Sequence, residues 1–262
     1  MATQPIPISP TRIRYGVADG IARIVLTNPP LNVIDIPMME ELAAALAELE
    51  ASPDVVVISI SGDGQAFSAG VDVAAHTPDR ISMMLGGFHA VIRLLIASKK
   101  VTIAAVHGHC LGGGAELAMA CDVVYTARGA LWGFPEIKLG CYPPVACAAL
   151  AALVGQKRAV ELILTGRTIT GEEAAGTGLA TRAVDESNLS QEVAKCCATL
   201  ISLSPAALMV TKKAIYAWDS VHFDKGLARA EKIYVEELMK TADAHEGIQA
   251  FLEKREPKWT GK

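Results

Sequence analysis

The sequence predicts an α/β fold. Buried strands with helical crossovers run to about residue 200, and an all-helical segment follows from Ser204. Three features point there. Val55–Ser61 ("VVVISIS") and Val101–Val106 ("VTIAAV") are strand-length apolar runs, the pattern of parallel strands covered on both faces. Around them, apolar residues recur every three or four positions, as on one face of a helix. Beyond Ser204 that helical period continues among many charges, with no further strand signal.

Taken in order, Ile21–Asn28 reads as a strand ended by Pro29 and Pro30. Met39, Leu42, Ala43, Leu46 and Leu49 share a helical face, with Pro37 suited to the first turn and Ser52-Pro53-Asp54 as the stop. After the Val55–Ser61 strand comes a loop, "GDGQAFSAGVDVAAH", and then a helical stripe of Met84, Leu85, Phe88, Val91, Ile92, Leu95 and Ile96. Val101–Val106 leads into "HCLGGGAELAMACD", in which three glycines open a helix that carries Glu116. Val123–Ala127 and Ala130–Phe134 read as short strands, and Ala148–Val154 and Arg158–Leu164 as helices. Thr170-Gly-Glu-Glu173 has the form of a capping box, in which threonine and glutamate satisfy each other's backbone N–H groups. Ser204 and Pro205 suit the cap and first turn of the closing segment. Its apolar Ile233, Tyr234, Leu238, Ile248 and Phe251 are set to pack on the core or on a second subunit.

Composition excludes several function classes. Of the 262 residues 51% are hydrophobic and 20% charged, enough to bury a large core. No apolar run approaches the roughly 18 residues of a membrane span, so no membrane partner is expected. The N-terminal "MATQPIPISP" carries prolines where a signal peptide needs an apolar stretch. The six cysteines form no CxxC pair, which fits a reduced, cytoplasmic chain. A net charge of −4 without a basic tract argues against nucleic acid as a partner.

The chemistry-bearing residues are few. "GHCLGGGAE" has neither the spacing of a dinucleotide fingerprint nor a P-loop lysine. Its glycines either let a strand-to-helix turn pack closely or expose first-turn N–H groups to a developing negative charge. A second small-residue loop, "AFSAGVDV", also follows a strand, with Asp72 able to cap the next helix. Glu116 sits among apolar helical residues, where a solvated face fits it poorly. Glu136, in "FPEIKLG", is either a surface loop residue or the second half of an acid–base pair. His107 and His109 lack a third ligand at metal-site spacing, so no metal is expected. No G-x-S-x-G elbow is present.

In this order, these stretches resemble the crotonase superfamily, the enoyl-CoA hydratase/isomerase family. "PPLNVID" is similar to its P-x-x-N turn, and "GDGQAFSAGVDV" to its G-x-G-x-x-F-x-A-G-x-D loop. "VTIAAVHGHCLGGGAELAMACDVVYTA" is similar to its glycine-rich signature, with "FPEIKLG", "GLATRAV" and "SPAALMVTKKAI" following as later blocks. The resemblance implies a crotonase-like spiral of ββα units over residues 1–203, and a C-terminal helical region over 204–262 that builds a homotrimer or homohexamer. It implies an acyl-CoA thioester as substrate, with no separate cofactor because coenzyme A is part of that substrate. By position, the amides of Val71 and Gly113 would form an oxyanion hole. Glu116 would activate water, and Glu136 would protonate the enolate carbon. Coenzyme A would contact Ala66, Ser68, Ala69 and Asp72, while Phe251 and Lys254 would reach a neighbouring subunit's adenosine phosphate region.

One loop departs from the family pattern. After Glu136 the family usually reads G-x-x-P-G-x-G-G-T; here the chain reads "GCYPPVACAA", with Pro144 at the first of those glycines. Proline removes an amide from the neighbourhood of the catalytic water. The variant resembles the branch that hydrates cyclohexa-1,5-diene-1-carbonyl-CoA. The competing readings are an enoyl-CoA isomerase, which needs one carboxylate, and a non-catalytic acyl-CoA- or RNA-binding homologue.

Overall fold

The computed structural model describes residues 11–77, 79–216 and 220–260. Its strands fall into two sheets, and the chain crosses between them once per repeat. β1 (Ile13–Ala18), β2 (Ile21–Leu26), β3 (Val57–Gly62), β5 (Val101–Val106), β7 (Val123–Ala127) and β10 (Arg182–Val184) form the larger sheet in the order β1-β2-β3-β5-β7-β10. β4 (Ala66–Ser68), β6 (His109–Leu111), β8 (Leu131–Gly133) and β9 (Thr168–Thr170) form the smaller one in chain order. Only β1 in the first sheet and β9 in the second run antiparallel to their neighbours.

The helices complete the repeat. α1 (Ile36–Ala51) precedes β3, and α2 (Ile81–Ala97), α3 (Gly113–Met119) and α4 (Pro144–Val154) follow β4, β6 and β8. The succession β3-β4-α2, β5-β6-α3, β7-β8-α4 is the ββα spiral of the crotonase fold. β5 is buried at all six positions, which is why its sequence is continuously apolar rather than alternating. One face of the large sheet meets the main core of α1, α2 and α4, including Leu42, Phe88, Val91 and Leu150. The other face packs Val57, Val101 and Ile103 against Leu189, Val193 and Cys197 of α7 (Leu189–Ile201).

Local chemistry sets most boundaries. The Asp35 carboxylate accepts from Met38 N (3.0 Å) to cap α1, beside Pro37 in its first turn. The Thr170/Glu173 capping box is formed on α6 (Gly171–Thr177), which follows α5 (Gln156–Thr165) and β9. Ser204 Oγ accepts from Ala207 N (3.3 Å) at the start of α8 (Pro205–Tyr216). Several elements lie outside the sequence expectation, β9 and β10 among them. β1 is exposed along all but its first residue and so carries no alternation, β4 and β6 are three residues each within glycine-rich loops, and α7 was not marked by any cap.

The closing helices α8, α9 (Ser220–Glu236) and α10 (Ala242–Leu252) pack back on the core. Lys212 of α8 is buried with its Nζ 2.7 Å from Asp122 Oδ2, and it donates to Lys100 O (2.8 Å). Tyr142 Oη donates to Ala230 O on α9 (2.6 Å), joining that helix to the loop after Glu136. Tyr234 and Ile248 are buried as their apolar character suggests, but Phe251 is exposed.

Candidate active site

β4 and β6 are parallel neighbours, so the loops leaving their C-terminal ends lie side by side. The first loop is held from below. Ala69 N donates to Leu31 O, Ile34 N to Gly70 O, and Asp72 N to Ile34 O. Asn32, in left-handed backbone, is fully buried and its Nδ2 donates to Asp63 O (2.9 Å) and Ala66 O (2.8 Å). Ser68 Oγ donates to Asn32 O (2.8 Å) and accepts from Gly70 N (3.2 Å). The P-x-x-N turn is therefore the support on which the Ser68–Val71 loop is shaped.

The second loop explains the three glycines by close approach. At Gly112, whose φ is +53°, an added Cβ would lie 2.6 Å from Glu136 Oε1. At Gly113 it would lie 2.4 Å from Val71 Cγ2 and 3.3 Å from Val71 N, and at Gly114 2.5 Å from Ser68 O. Each glycine admits a different neighbour, and together they bring the amides of Gly113 and Val71 next to each other. Gly113 is the first residue of α3, where N–H groups have no intrahelical acceptor. Among the described residues the N–H of Val71 also donates to no acceptor. Both residues line one cavity, and two free donors there would suit a developing oxyanion.

The two glutamates face each other across this point. Glu116 is 2% exposed, and its Oε1 accepts from Ala146 N (2.9 Å), in the first turn of α4. Burial pushes its pKa up to about 7, against the opposing effect of the Ala146 and Val145 amides. Glu136 is partly exposed as a residue, but its Oε2 is buried without a partner. Burial, with the charge of Glu116 behind it, pushes its pKa up to about 8. The amide on Glu116 and the orphaned oxygen on Glu136 agree in sense: the shared proton rests on Glu136 and the negative charge on Glu116. Pro144, the first residue of α4, brings no amide, and the donor comes from two residues further on.

Val71, Gly113, Glu116, Glu136 and Ala69 all line one cavity of about 80 Å³. Ala66 and Ser68 are fully buried in β4, where Ala66 O accepts from Asn32 and Ser68 Oγ donates to it. Asp72 caps a single 3-10 turn, accepting from Ala74 N (3.0 Å). Phe251 and Lys254 lie outside the cavity, at the end of α10. A larger cleft of about 710 Å³ adjoins the cavity at His76 and runs along α10 past His245, Gln249, Leu252 and Arg255 to Lys258. Sequence reasoning missed the wall made by Phe88 and His89 of α2, Cys141, Tyr142 and Tyr234 of α9. In the sequence Phe88 shows only helical core spacing, and Tyr234 only an apolar position for the core or a second subunit. His107 Nε2 pairs with Gly64 O (2.9 Å), and among the described residues no group of three or more His, Cys, Asp or Glu side chains is arranged to hold a metal.

A family model described as enoyl-CoA hydratase/isomerase matches residues 16–262. The chain belongs to that family. Within the enoyl-CoA hydratase/isomerase family it is 36% identical over 241 residues to a probable enoyl-CoA hydratase of Mycobacterium bovis, covering 90% of this chain and 93% of that protein. It is 32% identical over 257 residues to the cyclohexa-1,5-dienecarbonyl-CoA hydratase of Thauera aromatica, covering 96% and 97%. Among solved structures, an enoyl-CoA hydratase from Mycobacterium avium subsp. paratuberculosis superposes with a TM-score of 0.87 at 29% identity, over 97% of this chain and all of that one.

Proposed function

We propose that this member of the family is an enoyl-CoA hydratase, which adds water across the double bond of an α,β-unsaturated acyl-CoA thioester. The single observation that carries this reading is the glutamate pair: two carboxyl groups at one cavity, Glu116 accepting from the Ala146 amide and Glu136 with a buried oxygen that has no partner. The thioester oxygen accepts from the N–H groups of Val71 and Gly113. Glu116 takes a proton from water, whose oxygen bonds to the β-carbon, and the electron pair of the double bond moves onto the thioester as an enolate. Glu136 then gives its proton to the α-carbon. Proton and hydroxyl together make up one water. The adjoining cleft, with His245 and Lys258 on its walls, suits the phosphate-bearing end of coenzyme A.

This chemistry needs the pair singly protonated. Below about pH 7 Glu116 gains a proton and the base is lost; above about pH 8 Glu136 loses its proton and the acid is lost. The expected profile of kcat/KM is a narrow bell between those values, belonging to the pair as a unit. A profile flat from pH 6 to pH 9 would contradict the assignment.

The Pro143-Pro144 segment favours a finer reading. Both prolines line the cavity, Pro144 where the family usually has a glycine, and the relative from Thauera aromatica is a hydratase of a cyclic dienoyl-CoA. A conjugated ring uses the same steps, with the enolate extended through a second double bond before protonation. Incubation with crotonyl-CoA and with cyclohexa-1,5-diene-1-carbonyl-CoA, read by product mass, tests both levels. Water gained by the cyclic diene alone supports the finer reading, water gained mainly by crotonyl-CoA removes it, and no gain on either removes the hydratase assignment.

A further inference from the structure

Two side chains on the cavity wall carry polar atoms that hydration does not use. His89, on α2, is fully buried, and its Nδ1 lies 2.6 Å from Oε1 of Glu231 on α9. Arg93, one turn further along α2, donates to the same oxygen over 3.1 Å. An arginine-paired carboxylate accepts, so Nδ1 is the ring nitrogen that carries hydrogen. Burial lowers the pKa of His89, which leaves the ring neutral and Nε2 an acceptor. That Nε2 is buried and has no partner among the described residues.

Tyr234 supplies the complementary group. It lies three residues after Glu231 on α9, on the same helix face. It is 1% exposed, and its hydroxyl is buried without a hydrogen-bond partner. Its polar neighbour is the Cys141 thiol, which is turned to Leu139 O. Tyr142 packs edge-on against the ring, with centroids 5.0 Å apart, and so fixes its orientation.

His89 and Tyr234 line the same cavity as Glu116 and Glu136. An acceptor nitrogen and a donor hydroxyl on one wall match an alcohol, whose O–H donates to the first while its oxygen accepts from the second. A hydrocarbon group leaves both atoms buried and unpaired, so a hydroxylated group gains relative to it. We propose that His89 and Tyr234, with Glu231 fixing the imidazole, form a hydroxyl-recognition pair, and that this cavity prefers an acyl group carrying an alcohol oxygen away from the reacting double bond to the same group without it. This rests on the acyl-CoA reading of the site and narrows its substrate class. A bound water has the same hydrogen-bonding chemistry, so the test separates the two.

The test uses saturated ligands that cannot be hydrated: hexanoyl-CoA and its 4-, 5- and 6-hydroxy analogues, titrated calorimetrically into the full chain. At least one hydroxylated ligand is expected to bind about tenfold more tightly than hexanoyl-CoA, the effect of one or two well-made hydrogen bonds. Tyr234→Phe removes only the oxygen, and Glu231→Gln can donate to Nδ1 and reverse the imidazole tautomer. Each is expected to cut that preference to threefold or less, with a smaller change in the Kd of hexanoyl-CoA. Binding of all four ligands within threefold overturns the proposal. So do variants that weaken all four alike, the result if the pair holds water or merely packs, and so does a failure of all four to bind. Hydration of crotonyl-CoA without hydroxyl preference removes the pair alone; hydroxyl preference without any hydration removes the hydratase reading alone.

Discussion

Glu136→Gln is expected to lower kcat by about a thousandfold, within the roughly hundred- to ten-thousandfold range of positioned acid–base groups, while the Kd of a saturated acyl-CoA stays within a few-fold. Glutamine has nearly the shape of glutamic acid and can keep the contact with Gly112, but its amide cannot deliver a proton to carbon. Glu116→Gln is expected to act with similar size for the opposite reason. Its side-chain oxygen can still accept from Ala146 N, as Glu116 Oε1 does at 2.9 Å, so the first turn of α4 keeps its partner. What disappears is the base. Neither variant should cost stability, because each replaces a buried ionisable group by a neutral one. Steady-state kinetics beside calorimetric binding separates loss of chemistry from loss of the site. An unchanged kcat in either variant removes the role assigned to that residue.

Gly113→Ala should cost about a hundred- to a thousandfold in kcat, the effect of losing one oxyanion donor in a preorganised site. The added methyl group would sit 2.4 Å from Val71 Cγ2 and 3.3 Å from Val71 N. Relief requires the two loops to move apart, and the donors then no longer converge. Gly86→Ala, in α2, is the control: an added Cβ there meets nothing within 4 Å, and alanine favours a helix by up to about 1 kcal/mol over glycine. That variant should keep full activity and unfold at the same or a higher temperature. Equal losses in both variants would mean that the Gly113 effect is a general disturbance of the fold.

The parts of this architecture with a strong period were readable from the chain. β5 is apolar at every position because both its faces are covered, α2 repeats at helical spacing because one face meets the core, and Thr170 and Glu173 name their own cap. Other parts carry no such signal. β1 is exposed along nearly its whole length, and β4 and β6 are too short to show a period, so of the second sheet only β8, within Ala130–Phe134, is legible in the sequence. The same holds within the site. Glu116 stood out as a carboxylate in an apolar helix, and Gly113 as one of three glycines in a row. His89 and Tyr234 sit at core spacing on their helices, where an imidazole or a phenol looks like any other filler. Only the packing of α9 against α2, through residues 142 positions apart in sequence, brings the two residues to one cavity. Ala146 is similar: its amide matters because α4 starts beside Glu116, which no local pattern announces.

The measurement that bears most directly on the central claim is turnover of crotonyl-CoA and cyclohexa-1,5-diene-1-carbonyl-CoA in ¹⁸O-labelled water, with the products read by mass spectrometry. The glutamate pair and the two converging amides predict a product heavier than its substrate by one labelled water (about 20 Da), lost together with turnover in Glu116→Gln. A product of unchanged mass with a shifted double bond would contradict hydration and leave a one-carboxylate isomerase in its place.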